Sequence, residues 1–229
     1  MPRRAVILDL KGYGAQLLDG AAMTLLVAAL SVVFGSIVGM LGAGAKLSRS
    51  KVLRGLAEAY TTIIRGIPDL IILLLLYFGG TVTLTQLAGH YVEVNGLSAG
   101  VFALGLVFGA YATEVFRGAI LAVPRGQIEA ARALGLHYGQ RMLRVVAPQA
   151  LRTAIPPTVG FLVNLIKSTS LAAIIGFVEL TRAGQQLNNA TFRPFLIFGL
   201  VALVYFVMCW PLTIVAGRLE RRLALAYKR

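Results

Sequence analysis

Three ionisable side chains lie within long apolar runs of this 229-residue sequence. Glu114 and Arg117 are three positions apart, which places them on one face of a helix, and Lys167 lies within another run. An ionised group inside a membrane costs about 2.5 to 3.5 kcal/mol on insertion scales, so each needs a partner or a water-filled cavity. We favour an intrahelical ion pair for Glu114 and Arg117. The other interpretation is that Glu114 faces a substrate path and attracts a cationic side chain.

Two interpretations are open for Lys167. It is either the counter-ion of Glu114 or a contact for a substrate carboxylate, and we favour the structural role. Ser168 and Thr169 follow directly and could hydrogen-bond a substrate, although helix packing is the favoured use.

The sequence contains no pattern typical of an enzyme. His90 and His137 fall in loops predicted on opposite sides of a membrane, and neither H-E-x-x-H nor G-x-S-x-G occurs. No G-x4-G-K-[ST] motif is present that could bind the phosphates of ATP. The single Cys209 cannot form an internal disulfide or a multi-thiolate metal site. We therefore predict a chain that is not an enzyme and binds no cofactor or metal.

The apolar runs predict an all-α integral membrane protein. The chain is 58% hydrophobic and 14% charged, with a mean hydropathy of +0.79, which exceeds what one soluble core of this size could bury. A membrane helix needs about 20 apolar residues to cross roughly 30 Å of hydrocarbon. Five runs qualify, at about residues 21–45, 68–89, 96–123, 153–178 and 194–217. They are continuous rather than alternating, so we predict five helices in one transmembrane domain covering residues 1–229.

The positive charges predict the orientation of these helices. The net charge is +13, but the basic residues occur in short clusters between apolar runs, so no nucleic-acid binding is predicted. Most of them lie in the first loop, the third loop and the C-terminal tail. By the positive-inside rule these segments are cytoplasmic and the N-terminus is periplasmic.

The third loop, residues 124–148, has the pattern of two short helices. Pro124 can open the first, and Gly135 can end it. The second is predicted to run to about Val146, before Pro148 starts the next span. Four residues supply an apolar face that suits insertion into a partner's cleft: Ile128, Ala131, Leu134 and Leu136.

Two further stretches interrupt or follow the spans. Gly66 and Pro68 predict a helix break, preceded by an elbow helix over about residues 49–65. Glu179, Thr181 and Arg182 follow the fourth span, and a solvated loop is favoured there over contact with a partner protein.

The third loop also carries the pattern E-A-A-x3-G-x9-V-x-A-P, which resembles the EAA loop of bacterial ABC importer permeases. Its residues are Glu129, Ala130, Ala131, Gly135, Val145, Ala147 and Pro148. The family pattern has Leu where this chain has Ala147. Three more segments resemble motifs of the polar amino acid permeases, of the histidine/lysine/arginine/ornithine Q-type subunits in particular: Arg65-Gly66-Ile67-Pro68, Tyr111-Ala112-x-Glu114 and Lys167-Ser168-Thr169.

This resemblance implies the fold of a type I ABC importer permease in the bacterial inner membrane. It implies import of polar, in particular basic, L-amino acids, with ATP hydrolysed by a separate subunit. The implied partners are an ABC ATPase dimer, a second permease chain and a periplasmic solute-binding protein. The resemblance assigns contact with the ATPase to the EAA loop: Glu129, Ala130, Ala131, Gly135 and Leu136. The alternative function is a membrane scaffold or sensor that docks an ATPase without moving solute.

Overall fold

The chain is described here by a computed structural model covering residues 13–227, with side chains over residues 14–221. The predicted periplasmic N-terminus lies outside these residues. The described part contains eight helical segments: α1 (Tyr13–Leu47), α2 (Lys51–Gly66), α3 (Asp69–Ala88), α4 (Gly96–Leu121), α5 (Arg125–Ala133), α6 (Tyr138–Ile175), α7 (Leu180–Thr191) and α8 (Pro194–Tyr227). α3 contains a π-helical turn at Leu75–Gly79, and α6 contains one at Met142–Val146 and ends as a 3-10 helix at Thr169–Ile175.

Five of these helices are long and apolar enough to cross a bilayer within residues 13–227. They are α1, α3, α4, α6 and α8, the same five runs that the sequence predicts. α4 is the most buried of them and lies at the centre of the bundle, packed against α1, α2, α3 and α6.

The predicted separation of a second short helix from the fourth span is wrong. α6 is helical from Tyr138 onward, so the predicted second short helix and the span are one continuous element. Pro148 does not interrupt it, because a π-helical turn, Met142–Val146, ends two positions before that proline. The wider turn accommodates a residue that lacks an N–H and whose ring would clash with the carbonyl group four positions earlier.

The predicted break between the elbow helix and the second span is present. Ile67 has extended backbone angles (φ −105°, ψ 137°) between the end of α2 and Pro68, as expected for a residue that precedes proline. α2 is fastened to the central helix by Tyr60, whose hydroxyl donates a hydrogen bond of 2.7 Å to the Leu106 carbonyl oxygen. Burial raises the pKa of Tyr60 to about 12, so the phenol remains a hydrogen-bond donor at physiological pH.

Glycines set the distance between α1 and α4. A Cβ atom on Gly35 would lie 2.5 Å from the carbonyl oxygen of Gly105, and one on Gly39 would lie 2.6 Å from the Cβ atom of Ala112. Gly35 and Gly39 are four residues apart, and so are Gly105 and Gly109 on the facing helix. Such small-residue pairs let two helix backbones approach closely in a membrane, where van der Waals packing drives association.

We expect Gly35→Ala to destabilise this helix pair. The methyl group would push against backbone rather than against a flexible side chain, and overpacking of this kind costs about 1 to 3 kcal/mol. Gly44→Ala is the matched control, because Gly44 lies in the same helix and nothing lies within 4 Å of its Cβ position. Unfolding in mixed detergent micelles measures the difference, since both variants gain the same helix propensity. Equal stability of the two variants would contradict close contact between α1 and α4.

Candidate functional site

A cavity of about 460 Å³ lies between α3, α4 and α6. Its polar lining residues are Asp69, Tyr111, Asn164, Lys167 and Ser168. The apolar part of the wall is formed by Leu104, Val107, Phe108, Phe161 and Leu165. A volume of this size is within the range of small-molecule sites, and a largely apolar wall with a few polar groups is typical of them.

The local structure explains how the charged and hydroxyl groups reach this cavity. Asp69 lies in the first turn of α3, directly after Pro68, where the helix macrodipole favours an acid. Ser168 ends the α-helical part of α6, and its Oγ donates a hydrogen bond of 3.3 Å to Asp69 Oδ2. Lys167 precedes Ser168 on the same turn. The helix break therefore puts the carboxylate of Asp69, at the start of one span, at the cavity that Lys167 of another span also lines.

Aromatic rings form a second part of the wall. The rings of Tyr111 and Phe161 are stacked, with centroids 4.7 Å apart. The guanidinium group of Arg65, from the end of α2, lies 5.3 Å from the centroid of the Tyr111 ring. This is cation–π geometry, so the ring already accepts a guanidinium cation.

Together these groups have the chemistry needed to recognise a charged amino acid. Lys167 can pair with a carboxylate, and Asp69 can pair with an ammonium or guanidinium group. The described residues contain no cluster of His, Cys, Asp and Glu that could hold a metal ion.

Glu114 does not line this cavity, and its counter-ion is not Lys167. Glu114 accepts a hydrogen bond from Lys46 of α1, and its Oε2 lies 3.2 Å from Nε of Arg117. Lys46 Nζ also lies 2.8 Å from Oε2 of Glu58 on α2. The ion pair of Glu114 and Arg117 is thus part of a larger group of two acids and two bases that joins α1, α2 and α4. Interpreting Lys167 as the counter-ion of Glu114 is wrong, because Lys46 takes that place.

Thr169 is fully buried and does not line the cavity, unlike its neighbour Ser168. Its hydroxyl donates a hydrogen bond of 2.7 Å to the carbonyl oxygen of Ile166, within its own helix. The side chain therefore serves packing, whereas Ser168 faces the cavity.

Glu179 is fully buried, so the solvated loop predicted for it is wrong. Its carboxylate caps α7 by accepting hydrogen bonds from the backbone N–H groups of Thr181 and Arg182, at 2.9 and 2.8 Å. It also accepts hydrogen bonds from the hydroxyl groups of Thr24 on α1 and Tyr205 on α8. Glu179 therefore joins three helices, and no part of its side chain is available to a partner protein.

The EAA segment forms α5, and Gly135 ends it. Gly135 has φ +76°, a left-handed conformation that favours glycine. The N–H of Gly135 donates a hydrogen bond of 3.0 Å to the carbonyl oxygen of Arg132. The N–H of Leu136 donates one of 3.1 Å to the carbonyl oxygen of Ala131. This is the Schellman arrangement of hydrogen bonds, which turns the chain sharply from α5 into α6.

The predicted apolar face of α5 is divided between two environments. Ile128 and Ala131 face the protein itself: Ala131 is 4% exposed, and Ile128 packs against a cluster that includes Val123 and Val146. Leu134 is 81% exposed. Glu129 and Ala130 are also exposed, so these three residues are accessible to a partner. The prediction that all four apolar residues insert into a partner's cleft is therefore wrong for Ala131, whereas Ile128 is only half-buried.

Two residues of these groups are not singled out by the sequence. Asp69 directly follows the predicted helix break, and an acid at the very start of an apolar span is itself a signal of a polar environment. The pairing of Lys46 with Glu114, 68 positions away, has no local signal in the sequence.

Comparison with known proteins identifies the family. Residues 31–225 match the family described as "Binding-protein-dependent transport system inner membrane component". The chain is 38% identical to the histidine/lysine/arginine/ornithine transport system permease protein HisQ of Salmonella typhimurium, over 96% of this chain and 98% of that protein. It is 43% identical to the nopaline transport system permease protein NocQ of Agrobacterium fabrum, over 86% of each chain.

The fold matches that of a solved transporter. The crystal structure of an amino acid ABC transporter with histidines aligns with a TM-score of 0.82 and 33% identity, covering 94% of this chain and 98% of that chain. The all-α permease fold of type I importers is thereby confirmed, and so is the prediction that the chain is a transport component and not an enzyme. The chain belongs to the family of binding-protein-dependent transport system inner membrane components, as a multi-pass membrane permease.

Proposed function

We propose that this permease imports basic L-amino acids and provides half of their path across the membrane. The observation that carries the proposal is the cavity in which Asp69, Tyr111 and Lys167 meet. An arginine or histidine zwitterion offers one carboxylate for Lys167 and an α-ammonium group, to which arginine adds a guanidinium group, and Asp69 suits either cation. The names of the relatives support the same substrate class, since HisQ belongs to a histidine, lysine, arginine and ornithine system.

An exposed polar stripe on α6 supports pairing with a second permease chain. Thr153, Pro157, Gly160, Asn164 and Lys167 recur every three or four residues and are all exposed. A stripe with Asn and Lys at membrane depth is unfavourable against hydrocarbon, so it has to face water or another protein chain. A path enclosed between two copies of this face, or between this chain and a similar one, satisfies both requirements. The single transmembrane domain over residues 1–229 would then be one half of the pore.

The EAA helix would couple this path to ATP hydrolysis on a separate ATPase dimer. Glu129, Ala130 and Leu134 are accessible on α5, while Ile128 packs against a cluster that includes Val146 and Ala150 of α6. Gly135 and Leu136 would fix the turn between the two. This arrangement requires the EAA loop and the C-terminus to be cytoplasmic and the N-terminus periplasmic, in agreement with the positive charges. A solute-binding protein would then deliver substrate from the periplasmic side.

Reconstitution into liposomes tests the function directly. The permease, its ATPase, its second permease chain and its binding protein are reconstituted, and labelled arginine and histidine are added with ATP. Accumulation that depends on ATP supports an importer. ATPase binding without any flux would instead support a scaffold or sensor and would contradict the proposal.

Substitution of Gly135 tests the coupling role of the EAA helix. Gly135→Ala should weaken ATPase binding, because a left-handed conformation costs a residue with a side chain about 1 to 2 kcal/mol. Gly135→Pro should weaken it further, because proline fixes φ near −65°. Glu129→Lys, which reverses an exposed charge on the same helix, should also lower it. Co-purification of the ATPase with permease extracted from membranes is the measurement.

Gly126→Ala is the matched control for this test. Gly126 lies in the same helix without a positive φ, and nothing lies within 4 Å of its Cβ position. All variants should reach the membrane in equal amounts. Unchanged ATPase binding and uptake in Gly135→Pro and Glu129→Lys would exclude the coupling role.

A further inference from the structure

The candidate substrate cavity ends at a stack of three side chains, one from each of three helices. Tyr111 is the lining residue of α4 nearest the EAA helix, and Phe161 is the lining residue of α6 nearest that helix. Their rings are stacked with centroids 4.7 Å apart, so they lie together at this end of the cavity. We call this end the floor of the cavity.

The guanidinium group of Arg65 lies on the outer side of this floor. It is 5.3 Å from the centroid of the Tyr111 ring, yet Arg65 is not among the residues that line the cavity. A ring face has room for one group at this distance, so Phe161 and Arg65 take one face of Tyr111 each. The stack therefore joins the end of α2 to both α4 and α6.

The substrate path proposed above crosses the level of the stack. The exposed polar stripe of α6 has Asn164 on the cavity side of Phe161 and Thr153 on the other side. Tyr111 lies ten residues before the end of α4 at Leu121, which is about 15 Å, or half of the roughly 30 Å of hydrocarbon. An amino acid that leaves the cavity along this stripe toward the EAA helix therefore has to pass the two rings.

Arg65 keeps a positive charge beside the floor. Its side chain is exposed, and within residues 14–221 it forms no ion pair with an acid. The acids Glu58 and Glu114 of the adjacent helices belong to the separate group of ion pairs around Lys46. An exposed guanidinium group at this depth is unfavourable against hydrocarbon, so it has to face water, and such charges are typical of ion and substrate paths.

We propose that Arg65, Tyr111 and Phe161 form the gate on the cytoplasmic side of the substrate cavity. The gate rests on the proposed function, since it needs the path and the orientation given there. With the rings stacked, the cavity is separated from the cytoplasm, and substrate leaves when α6 moves and Phe161 withdraws from Tyr111. The fixed charge of Arg65 opposes the entry of cytoplasmic cations, which the carboxylate of Asp69 would otherwise attract.

Labelling of an introduced cysteine tests the gate, because Cys209 is the only cysteine of the chain. In a Cys209→Ser background, Asn164→Cys reports access to the cavity, and Thr153→Cys reports access to the same stripe outside it. The complete transporter, in inside-out membrane vesicles, is exposed to a membrane-impermeant methanethiosulfonate from the cytoplasmic side. The rates are read from the mass of this chain, both without nucleotide and after trapping with ATP and vanadate.

In at least one of the two nucleotide states we expect position 164 to react about tenfold or more slowly than position 153, because labelling then needs an open state populated at about 10% or less. Tyr111→Ala and Phe161→Ala each remove one ring and should abolish most of this difference. Tyr111→Phe keeps the ring, and Val107→Ala enlarges the cavity away from the floor, so both should retain the difference. Assembly of each variant is checked by co-purification of the ATPase.

Two reagents of opposite charge test the role of Arg65. At position 164, Arg65→Gln should raise the rate of a trimethylammonium reagent relative to that of a sulfonate reagent by about fivefold, since one fixed charge about 10 Å away acts on the two reagents in opposite directions. Arg49→Gln, which removes an exposed charge from the first loop, should leave this ratio unchanged.

Three outcomes would overturn the proposal. Equal rates at positions 164 and 153 in both nucleotide states, with the stack intact, would mean that the floor is open. A slow rate at position 164 that persists in both Tyr111→Ala and Phe161→Ala would mean that the second permease chain closes the path instead. An unchanged ratio in Arg65→Gln would mean that its charge plays no part. Labelling needs neither substrate nor binding protein, so the import of basic amino acids is tested separately by the uptake assay.

Discussion

Asp69→Asn should lower the uptake of arginine roughly 10- to 150-fold while leaving the permease folded. Hydrogen bonds to a charged group contribute about 1.5 to 3 kcal/mol, which corresponds to this range at a site that binds a cation. Asparagine has nearly the same shape as aspartate, and its carbonyl oxygen can still accept the hydrogen bond from Ser168. The substitution therefore removes the charge and little else. Uptake of labelled arginine into proteoliposomes is the measurement.

Two comparisons separate a substrate contact from a structural role for Asp69. Asp19→Asn is the matched control, because Asp19 is an exposed acid in α1 and is not among the residues that line the cavity. It should leave uptake unchanged. Any residual transport of a neutral amino acid such as glutamine should fall less than transport of arginine in Asp69→Asn. An equal fall for both substrates would show that Asp69 acts on the fold rather than on a substrate cation.

Lys46→Met should destabilise the protein by about 3 kcal/mol. Breaking a buried ion pair by removing one partner costs about 3 to 5 kcal/mol, because it leaves an uncompensated charge. The side chain of Lys46 is 3% exposed and bonded to both Glu58 and Glu114. The lower end of the range applies for two reasons. Glu114 remains paired with Arg117, and the side chain of Glu58 is largely exposed to solvent. The free energy of unfolding in mixed micelles is the measurement.

A control and a rescue sharpen the Lys46 prediction. Lys51→Met removes an exposed lysine five positions away and should change stability by less than about 0.5 kcal/mol. The double variant Lys46→Met, Glu114→Gln should recover part of the loss, because the orphaned carboxylate is then neutral. If Lys46→Met and Lys51→Met unfold alike, the group of four charges does not hold α1, α2 and α4 together.

The helices were largely predictable from the sequence, and their ends were not. A run of apolar residues long enough to span hydrocarbon has few alternatives, so the existence of all five spanning helices follows from composition alone. The start of α6 was not predictable in this way. Arg141, Arg144 and Arg152 precede the apolar run, yet they belong to the same helix. Arginine is a good helix former, and charge marks where a helix leaves the bilayer rather than where it stops.

The functional residues divide in the same way. The EAA segment and the turn at Gly135 have a local signal, because the residues that form them are consecutive. The partners of Glu114 and the cavity around Asp69 depend on contacts between distant helices, which spacing within one helix does not reveal. Which face of α5 is covered by the chain itself is equally a tertiary property: Ile128 and Leu134 are both apolar, yet only Leu134 is left exposed.

The continuity of α6 has a mechanical consequence. This helix runs without interruption from Tyr138, beside the EAA helix, to Lys167 at the cavity, and Pro156 and Pro157 divide it into two unequal arms. With Pro156 as a pivot the arms are about 27 and 16 Å long, so a tilt of about 5° moves the outer ends by about 2.4 and 1.4 Å. A 1.4 Å shift is enough to break the hydrogen bond between Ser168 and Asp69. If the EAA helix is coupled to the ATPase as proposed and α6 tilts as one rod, α6 would act as a lever with a mechanical advantage of about 1.7 toward the cavity.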